Sequence, residues 1–285
     1  MDNQNSPAAN SRKPIIWSVV GVGVFLSLLI STQSSVLAQI TGNPSGLQKV
    51  TTTEQDDDAQ FDHSVFDALL KAHVDADGWI DYAAFQRDQV KLDAYLEAIK
   101  QADMEQLGKG ERLAFLINSY NAFTIKLLVE NYPLDSINDI PEANRWDGVR
   151  WNLAGNIVSL NQIEHEYVRQ NFNEPRIHFA LVCGAVGCPP LRNEAFIGET
   201  LEAQLAAQST YVHNHGTWFQ YDERRNQVGL TKLYNWYGDD FIKTDGSILQ
   251  FIKDNSDKLA NVDAPNVVWL DYDWTLNDVS NRAAR

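Results

Sequence analysis

The strongest constraint on the fold is a long segment, Glu111 to Asn131, that is apolar on nearly every side of a helix. Tyr132-Pro133 follows it, and a proline at that point ends a helix. A helix that is apolar all round lies in the interior of a protein, because none of its faces suits water. The rest of the chain must therefore pack around this helix. With 285 residues, 44% of them hydrophobic, the chain has enough apolar side chains for one sizeable core.

Two amide side chains interrupt this apolar segment. Asn118 and Asn121 are three positions apart and therefore lie on one face of the helix. A buried amide costs roughly 1–3 kcal/mol unless its hydrogen bonds are made, so both side chains must have partners. Two roles stay open for them: they cap loop backbone, or they act in catalysis or binding.

A second apolar run, Ile177 to Val182, lies between Pro175-Arg176 and Gly184 and predicts a buried central strand. Both cysteines of the protein, Cys183 and Cys188, follow at the end of this run, together with two glycines and a Pro-Pro pair. Loops often carry function, and glycine lets the backbone approach a ligand closely. The loop is therefore a candidate site for chemistry.

Cys183 is the best candidate nucleophile in the sequence. Gly184 leaves a neighbouring backbone N–H free to approach a ligand, as an oxyanion-binding site needs. A cysteine nucleophile also needs a base, and His165 on a predicted helix is the favoured one. Three side chains are available to orient this base: Asn121, Asn118 and Glu164. These residue types are typical of a cysteine-dependent hydrolase or acyltransferase.

Three further side chains near the predicted strand are candidates for binding rather than catalysis. His178 is an odd number of positions from Cys183, so on a strand it would point to the opposite face. Arg176 precedes the strand, and Glu164 is adjacent to His165. The alternative to a reactive Cys183 is either a pair of unreactive thiols or a local Cys183–Cys188 disulfide, which would remove the nucleophile.

The remaining motifs predict neither a metal nor a cofactor. Residues 73–84 resemble a calcium loop around Gly78, but Ala84 stands where the bidentate Glu is required. An Asp-Gly turn into a short strand, Trp79 to Tyr82, is the simpler prediction. The chain has no phosphate-binding glycine loop, nucleophile elbow or His-Glu-x-x-His motif, and Cys-x4-Cys does not match zinc spacing.

Helices and short hairpins are mixed without a βαβ rhythm, which predicts an α+β fold. We expect a single globular domain over residues 61–285, with a buried central helix, short hairpins and a small sheet. A helix is expected from Asp62 or Ser64 through Val74, because its apolar positions follow helical spacing. Hairpins are expected at 149–160 and 217–230, and a last strand at 267–270.

The N-terminus predicts export. Arg12-Lys13 precede a sixteen-residue apolar run, and Val36-Leu-Ala38 place small residues before a cut at Gln39. Residues 1–38 are therefore interpreted as a secretory signal peptide, with an uncleaved membrane anchor as the alternative. Either interpretation puts the domain in the periplasm, outside the cell or on an outward-facing anchor. Residues 39–60 lack apolar periodicity and predict a flexible linker.

The net charge of −15 argues against binding to nucleic acid or to an anionic membrane surface. The expected partner is a small molecule, a peptide or a component of the cell envelope. Membrane contact is expected only through the N-terminal segment. If the domain is a non-catalytic binding module, four tryptophans are the candidate ligand face: Trp146, Trp151, Trp218 and Trp236.

Five motifs, in this order, resemble the domain-of-unknown-function family 547. They are Phe61-Asp-His-Ser-Val-Phe-Asp-Ala-Leu-Leu70, His73-Val-Asp with Gly78-Trp-Ile-Asp-Tyr82, Glu111 to Thr124, Pro175 to Leu191, and Trp236-Tyr-Gly-Asp-Asp-Phe241. The resemblance covers about 61–255 and puts Asn118, Tyr120, Asn121, His165, His178 and Cys183 on motif positions. It implies no reaction, because the activity of that family is not established. Some of its members carry glutaredoxin or coiled-coil modules, which this chain lacks.

Overall fold

The central helix is present as predicted and organises the computed structural model, which describes residues 59–259, 261–263 and 265–282. This helix, α4, extends from Lys109 to Asn131, and every residue from Leu113 to Val129 is buried. The predicted signal peptide or anchor and nearly all of the predicted linker lie outside the described residues.

Helices dominate the described part of the chain. The helix predicted near Ser64 is confirmed, and it buries Phe66, Leu69 and Leu70. The helices that contribute to the core around α4 are α1 (Ser64–His73), α2 (Tyr82–Arg87), α3 (Gln89–Gln101), α5 (Leu160–Gln162, continued by a π-helical turn over Ile163–Val168) and α6 (Leu201–Asn214). The helices that follow are α7 (Leu233–Trp236), α8 (Gly238–Asp245), α9 (Ile248–Asn255) and α10 (Val279–Arg282).

Five short strands form two small sheets in the described part, so the predicted α+β class is confirmed. The first predicted hairpin is β1 (Trp151–Leu153) against β2 (Asn156–Val158), with Trp151 opposite Val158. The second is β3 (Phe219–Asp222) against β4 (Gln227–Leu230). The predicted last strand, β5 (Asn266–Trp269), adds to β4 in parallel.

Two predicted strands are absent. The run from Ile177 to Val182 is not a strand; it is a 3-10 turn over Pro175–Phe179 followed by irregular backbone, and all six of its residues are buried. The segment Trp79 to Tyr82 is not a strand either, because only Ile80 forms bridges and Tyr82 begins α2. The Asp-Gly turn before it is confirmed: Gly78 has a φ of +81°, and Asp75 accepts hydrogen bonds from two following N–H groups.

The apolar side chains divide into two adjoining cores. The main core surrounds α4 and includes side chains of α1, α3, the first hairpin and the cysteine loop. The second core lies between α6, the three-stranded sheet, α8 and α9, and Phe179 belongs to it. Residues 177–182 therefore connect two cores, which explains why they are apolar although they form no strand.

The C-terminal segment after β5 returns across the domain. Single bridges join it to three separate places: Ile80 with Asp278, Ser136 with Thr275, and Ala185 with Leu276. The last of these pairs it with the cysteine loop. Among the described helices, none combines the length and the apolar character that a membrane crossing requires.

Candidate functional site

The two amides of α4 hold irregular backbone in place. Asn118 donates to the carbonyl of Phe196 at 2.7 Å and accepts from the N–H of the same residue at 3.0 Å. Asn121 donates to the carbonyl of Ala180 and accepts from the N–H of Val182, both at 2.9 Å. Each amide thus satisfies the N–H and carbonyl groups of one buried stretch of backbone, as a neighbouring strand would do in a sheet. The prediction that both side chains have partners is confirmed.

Asn121 therefore fixes the backbone directly before Cys183, and the cysteine loop (residues 183–190) continues from there. Gly184 has a φ of +79°, which favours glycine. A Cβ at this position would lie 2.5 Å from Cδ1 of Leu128. Hydrogen bonds from Val186 and Gly187 to the C-terminal segment hold the far side of the loop.

The two cysteines are free thiols in mutual contact. The backbone N–H of Cys183 donates to Sγ of Cys188 at 3.1 Å, and the Cys188 thiol has two acceptors beside it, Sγ of Cys183 and the Leu181 carbonyl at 3.8 Å. Tyr272 Oη lies 3.2 Å from Sγ of Cys183. The Ala185 N–H also donates to this sulfur. Cys183 is partly exposed, whereas Cys188 is 5% exposed.

These contacts give the two thiols different pKa values. The hydrogen bond from Cys188 lowers the pKa of Cys183, and those from Tyr272 and Ala185 act in the same direction against burial. Burial raises the pKa of Cys188 well above its usual value. It does the same for Tyr272, so this phenol stays protonated and donates its hydrogen bond to the sulfur. Cys183 is therefore the more acidic and the more accessible thiol.

An aromatic cluster, formed by Trp236, Tyr272 and Trp274, lies beside this thiol. The ring centroids of Trp236 and Tyr272 are 4.9 Å apart, and those of Tyr272 and Trp274 are 4.7 Å apart. Trp236 is 40% exposed, so the cluster offers an apolar surface to solvent next to Cys183.

The predicted four-tryptophan ligand face is wrong. Trp151 is buried against Phe123 in the main core, and Trp218 is buried in the second core, where its Nε1 donates to the carbonyl of Gly187. The rings are thus dispersed, and only Trp236 among the four takes part in the aromatic cluster.

The predicted histidine partners belong to a neighbouring ionic network. His165 Nδ1 lies 2.9 Å from Nη1 of Arg169. Nε and Nη2 of the same arginine donate to Asp240 at 2.6 and 3.1 Å. His178 Nε2 lies 2.7 Å from Oδ2 of Asp240, and its ring stacks on Tyr237 at 3.9 Å. Among the described residues, no hydrogen bond joins either histidine to Cys183.

Within this network, burial and the neighbouring charges shift the pKa of a group in opposite directions. Partial burial would raise the pKa of Asp240, but the hydrogen bonds from His178 and Arg169 dominate and hold it well below its usual value. Burial lowers the pKa of His178 despite the facing carboxylate. The network therefore keeps Asp240 charged.

Glu164 and Arg176, two predicted binding residues, have partners within the chain. Glu164 is buried and accepts a hydrogen bond from the phenol of Tyr237. Arg176 forms ion pairs with Glu174 and Glu202 at 2.6 and 2.7 Å, so it joins the 3-10 turn to α6.

The carboxylates of the calcium-like loop are also paired within the chain. Both Asp75 and Asp77 form ion pairs with Arg282. In the part of the chain that the structure describes, no group of three or more His, Cys, Asp or Glu side chains is placed to hold a metal ion.

Sequence reasoning missed Tyr272, Tyr237 and Asp240. Tyr272 is 89 positions from Cys183, and Asp240 is 62 from His178. No spacing rule connects residues so far apart. The only signals were the Trp236-Tyr-Gly-Asp-Asp-Phe241 motif, which contains two of the three, and the aromatic character of residues 272–274.

Residues 104–211 match the model of a family described as a protein of unknown function, DUF547. The matched segment contains α4, both amide clamps and the cysteine loop. It supports the resemblance drawn from the motifs and is consistent with an uncharacterised domain. No curated protein and no solved structure matches this chain.

Proposed function

We propose that this domain is a cysteine-dependent hydrolase or acyltransferase whose nucleophile is Cys183. The observation that carries the proposal is the hydrogen-bonding of the sulfur of this partly exposed residue, which lies next to Tyr272, Cys188 and the N–H of Ala185. A thiolate, rather than a thiol, is the attacking species in acyl transfer, and donors around the sulfur favour it. A lowered pKa of the Cys183 thiol reduces the need for an adjacent histidine base.

Gly184 supplies the second element of the proposed reaction. Its backbone N–H makes no hydrogen bond to any described residue, and it follows the nucleophile directly. An N–H in that position is suited to the oxyanion that forms when the thiolate attacks a carbonyl carbon. Glycine is required at this position, since a side chain at residue 184 would collide with Leu128.

Tyr272 supplies the proton in this proposal. Its hydroxyl is next to the sulfur and stays protonated, because burial raises its pKa. When the tetrahedral intermediate collapses, the leaving group takes this proton and the acyl group remains on Cys183 as a thioester. The water, alcohol or amine that then attacks the thioester returns the proton to Tyr272. His165 has no proton-transfer role here, because it pairs with Arg169.

The aromatic cluster defines the kind of substrate. Trp236 and Trp274 flank Tyr272, whose hydroxyl contacts the thiol. Flat apolar groups pack well on such rings. We therefore expect the acyl or leaving group to be apolar, carried by a small molecule, a peptide or a component of the cell envelope.

The test combines alkylation with acyl transfer. In the purified domain, iodoacetamide should label Cys183 at neutral pH, and an aromatic ester such as p-nitrophenyl acetate should leave an acetyl group on Cys183, detected by peptide mass spectrometry. Loss of the Tyr272 hydrogen bond to a thiolate costs about 1.5–3 kcal/mol, so Tyr272→Phe should raise the thiol pKa by about one to two units and slow neutral labelling about tenfold or more.

His165→Ala is the matched comparison, since it removes a nearby ring that lies outside the sulfur's hydrogen bonds. It should leave the labelling rate of Cys183 within about twofold of the parent protein. Acylation that persists in Cys183→Ser would remove the proposed nucleophile. Equal labelling rates in the parent and Tyr272→Phe proteins would remove the role of Tyr272.

A further inference from the structure

The two thiols of the cysteine loop have complementary positions. Cys183 is partly exposed, and Cys188 is buried directly behind it, 5% exposed. Two contacts join the cysteines: the backbone N–H of Cys183 donates to Sγ of Cys188, and the thiol of Cys188 lies against Sγ of Cys183. A turn closed by the Cys188 N–H and the Ala185 carbonyl brings the second cysteine back to the first.

From this arrangement we propose that Cys183 and Cys188 form a dithiol pair that exchanges with external disulfides, Cys183 as the attacking thiol and Cys188 as the resolving thiol. Attack by Cys188 on an external disulfide is hindered, because this residue is only 5% exposed. Attack by the outer thiol, Cys183, on the external disulfide, followed by internal closure, is the order that this burial permits. The difference in acidity between the two thiols acts in the same direction.

A low-molecular-weight disulfide is the oxidant in this exchange. The Cys183 thiolate attacks one sulfur of that disulfide, a mixed disulfide forms, and the first small thiolate leaves with the electron pair and takes up the proton lost from Cys183. The Cys188 thiolate then attacks Sγ of Cys183, and the second small thiolate leaves and takes up the Cys188 proton. The protein has lost two hydrogens and the oxidant has become two thiols.

One consequence concerns activity and rests on the proposed function. In the oxidised pair Cys183 has no free thiolate, so acyl transfer stops until a thiol reduces the loop. The disulfide thereby acts as a reversible switch on the same sulfur. The exchange itself does not depend on acyl transfer.

Glutathione disulfide is the probe, and intact-mass spectrometry of the purified domain is the readout. The parent protein should lose about 2 Da and become resistant to iodoacetamide, and dithiothreitol should restore both. Cys188→Ser keeps an acceptor for the Cys183 N–H but removes the resolving thiol, so it should accumulate a single adduct of about 305 Da on Cys183. Cys183→Ser should gain no adduct while it stays folded.

The outcomes separate the two proposals. A stable adduct on the parent protein, without the loss of about 2 Da, would overturn the resolving role of Cys188. An adduct on Cys188 in the Cys183→Ser protein would overturn the assigned order. A protein that forms the internal disulfide but never acylates Cys183 would retain the dithiol pair and lose the hydrolase or acyltransferase function.

Discussion

Replacing Asn121 by alanine tests whether the amide clamp of α4 sets the chemistry of Cys183. The substitution removes two hydrogen bonds of 2.9 Å and leaves the carbonyl of Ala180 and the N–H of Val182 buried without partners. Each unpaired group costs about 1–3 kcal/mol, so the free energy of unfolding should fall by about 2–6 kcal/mol. Urea unfolding followed by tryptophan fluorescence measures this loss.

Asn118→Ala is the control, because it removes the same chemistry from the same helix. That amide holds the N–H and carbonyl of Phe196, 13 residues beyond Cys183 in the sequence. The two substitutions should therefore destabilise the domain to a similar extent. They should differ in the cysteine loop, since only Asn121 fixes the residue before Cys183.

The discriminating measurement is the pH dependence of iodoacetamide labelling at Cys183. When Val182 is released, the sulfur should lose part of its contact with Tyr272 and Cys188, and its apparent pKa should rise toward the ordinary value by about one unit. In Asn118→Ala the pKa should not move. Asn121→Asp keeps the acceptor for Val182 and should give a smaller loss of stability. Equal shifts in both alanine variants, or no shift in either, would show that the Asn121 amide does not set the acidity of Cys183.

Three other measurements test separate features. His213 is buried between the Ser209 carbonyl and the Tyr234 hydroxyl, and burial lowers its pKa to about 4, so its folded form resists protonation. The unfolded chain binds that proton below its ordinary pKa of about 6.5, and stability is therefore lost as pH falls, by about 2 kcal/mol at pH 5. His213→Gln should abolish this part of the acid sensitivity in urea unfolding, and an unchanged pH slope would contradict the assignment. Gly184→Ala should lower the free energy of unfolding by at least about 1 kcal/mol, because φ is +79° and Leu128 lies in the way; a melting temperature equal to the parent's would oppose this. Expression of the full chain in a secreting bacterial host should yield protein that begins at Gln39 by N-terminal sequencing, whereas a membrane-bound chain that retains residues 1–38 would favour the anchor.

Local patterns were sufficient wherever local physics decides the structure. The central helix was predictable because an apolar segment of this length with a closing proline has no other stable arrangement in water. The hairpins at 149–160 and 217–230 were predictable from short strands around turn residues. The need of Asn118 and Asn121 for partners also followed from the cost of burying an amide.

Local patterns did not predict the backbone structure of the run from Ile177 to Val182. An apolar run indicates that a segment is buried. A segment buried between two cores has the same apolar pattern as a strand buried in a sheet. A strand would have satisfied its backbone in a ladder, whereas this segment uses a 3-10 turn and the amide of Asn121. Because this backbone is irregular, the alternation of strand faces that was expected to separate His178 from Cys183 does not apply to it.

The fold class, the buried helix, the family resemblance and the candidacy of Cys183 as nucleophile all follow from patterns along the chain. The groups that contact the Cys183 sulfur are set by tertiary packing. Tyr272 reaches it from the end of the chain, because the C-terminal segment pairs with the cysteine loop. His165, much closer in sequence, turns to Arg169 instead. The acidity of a thiol depends on atoms within a few ångströms of it, and those atoms are brought together by packing rather than by spacing along the chain.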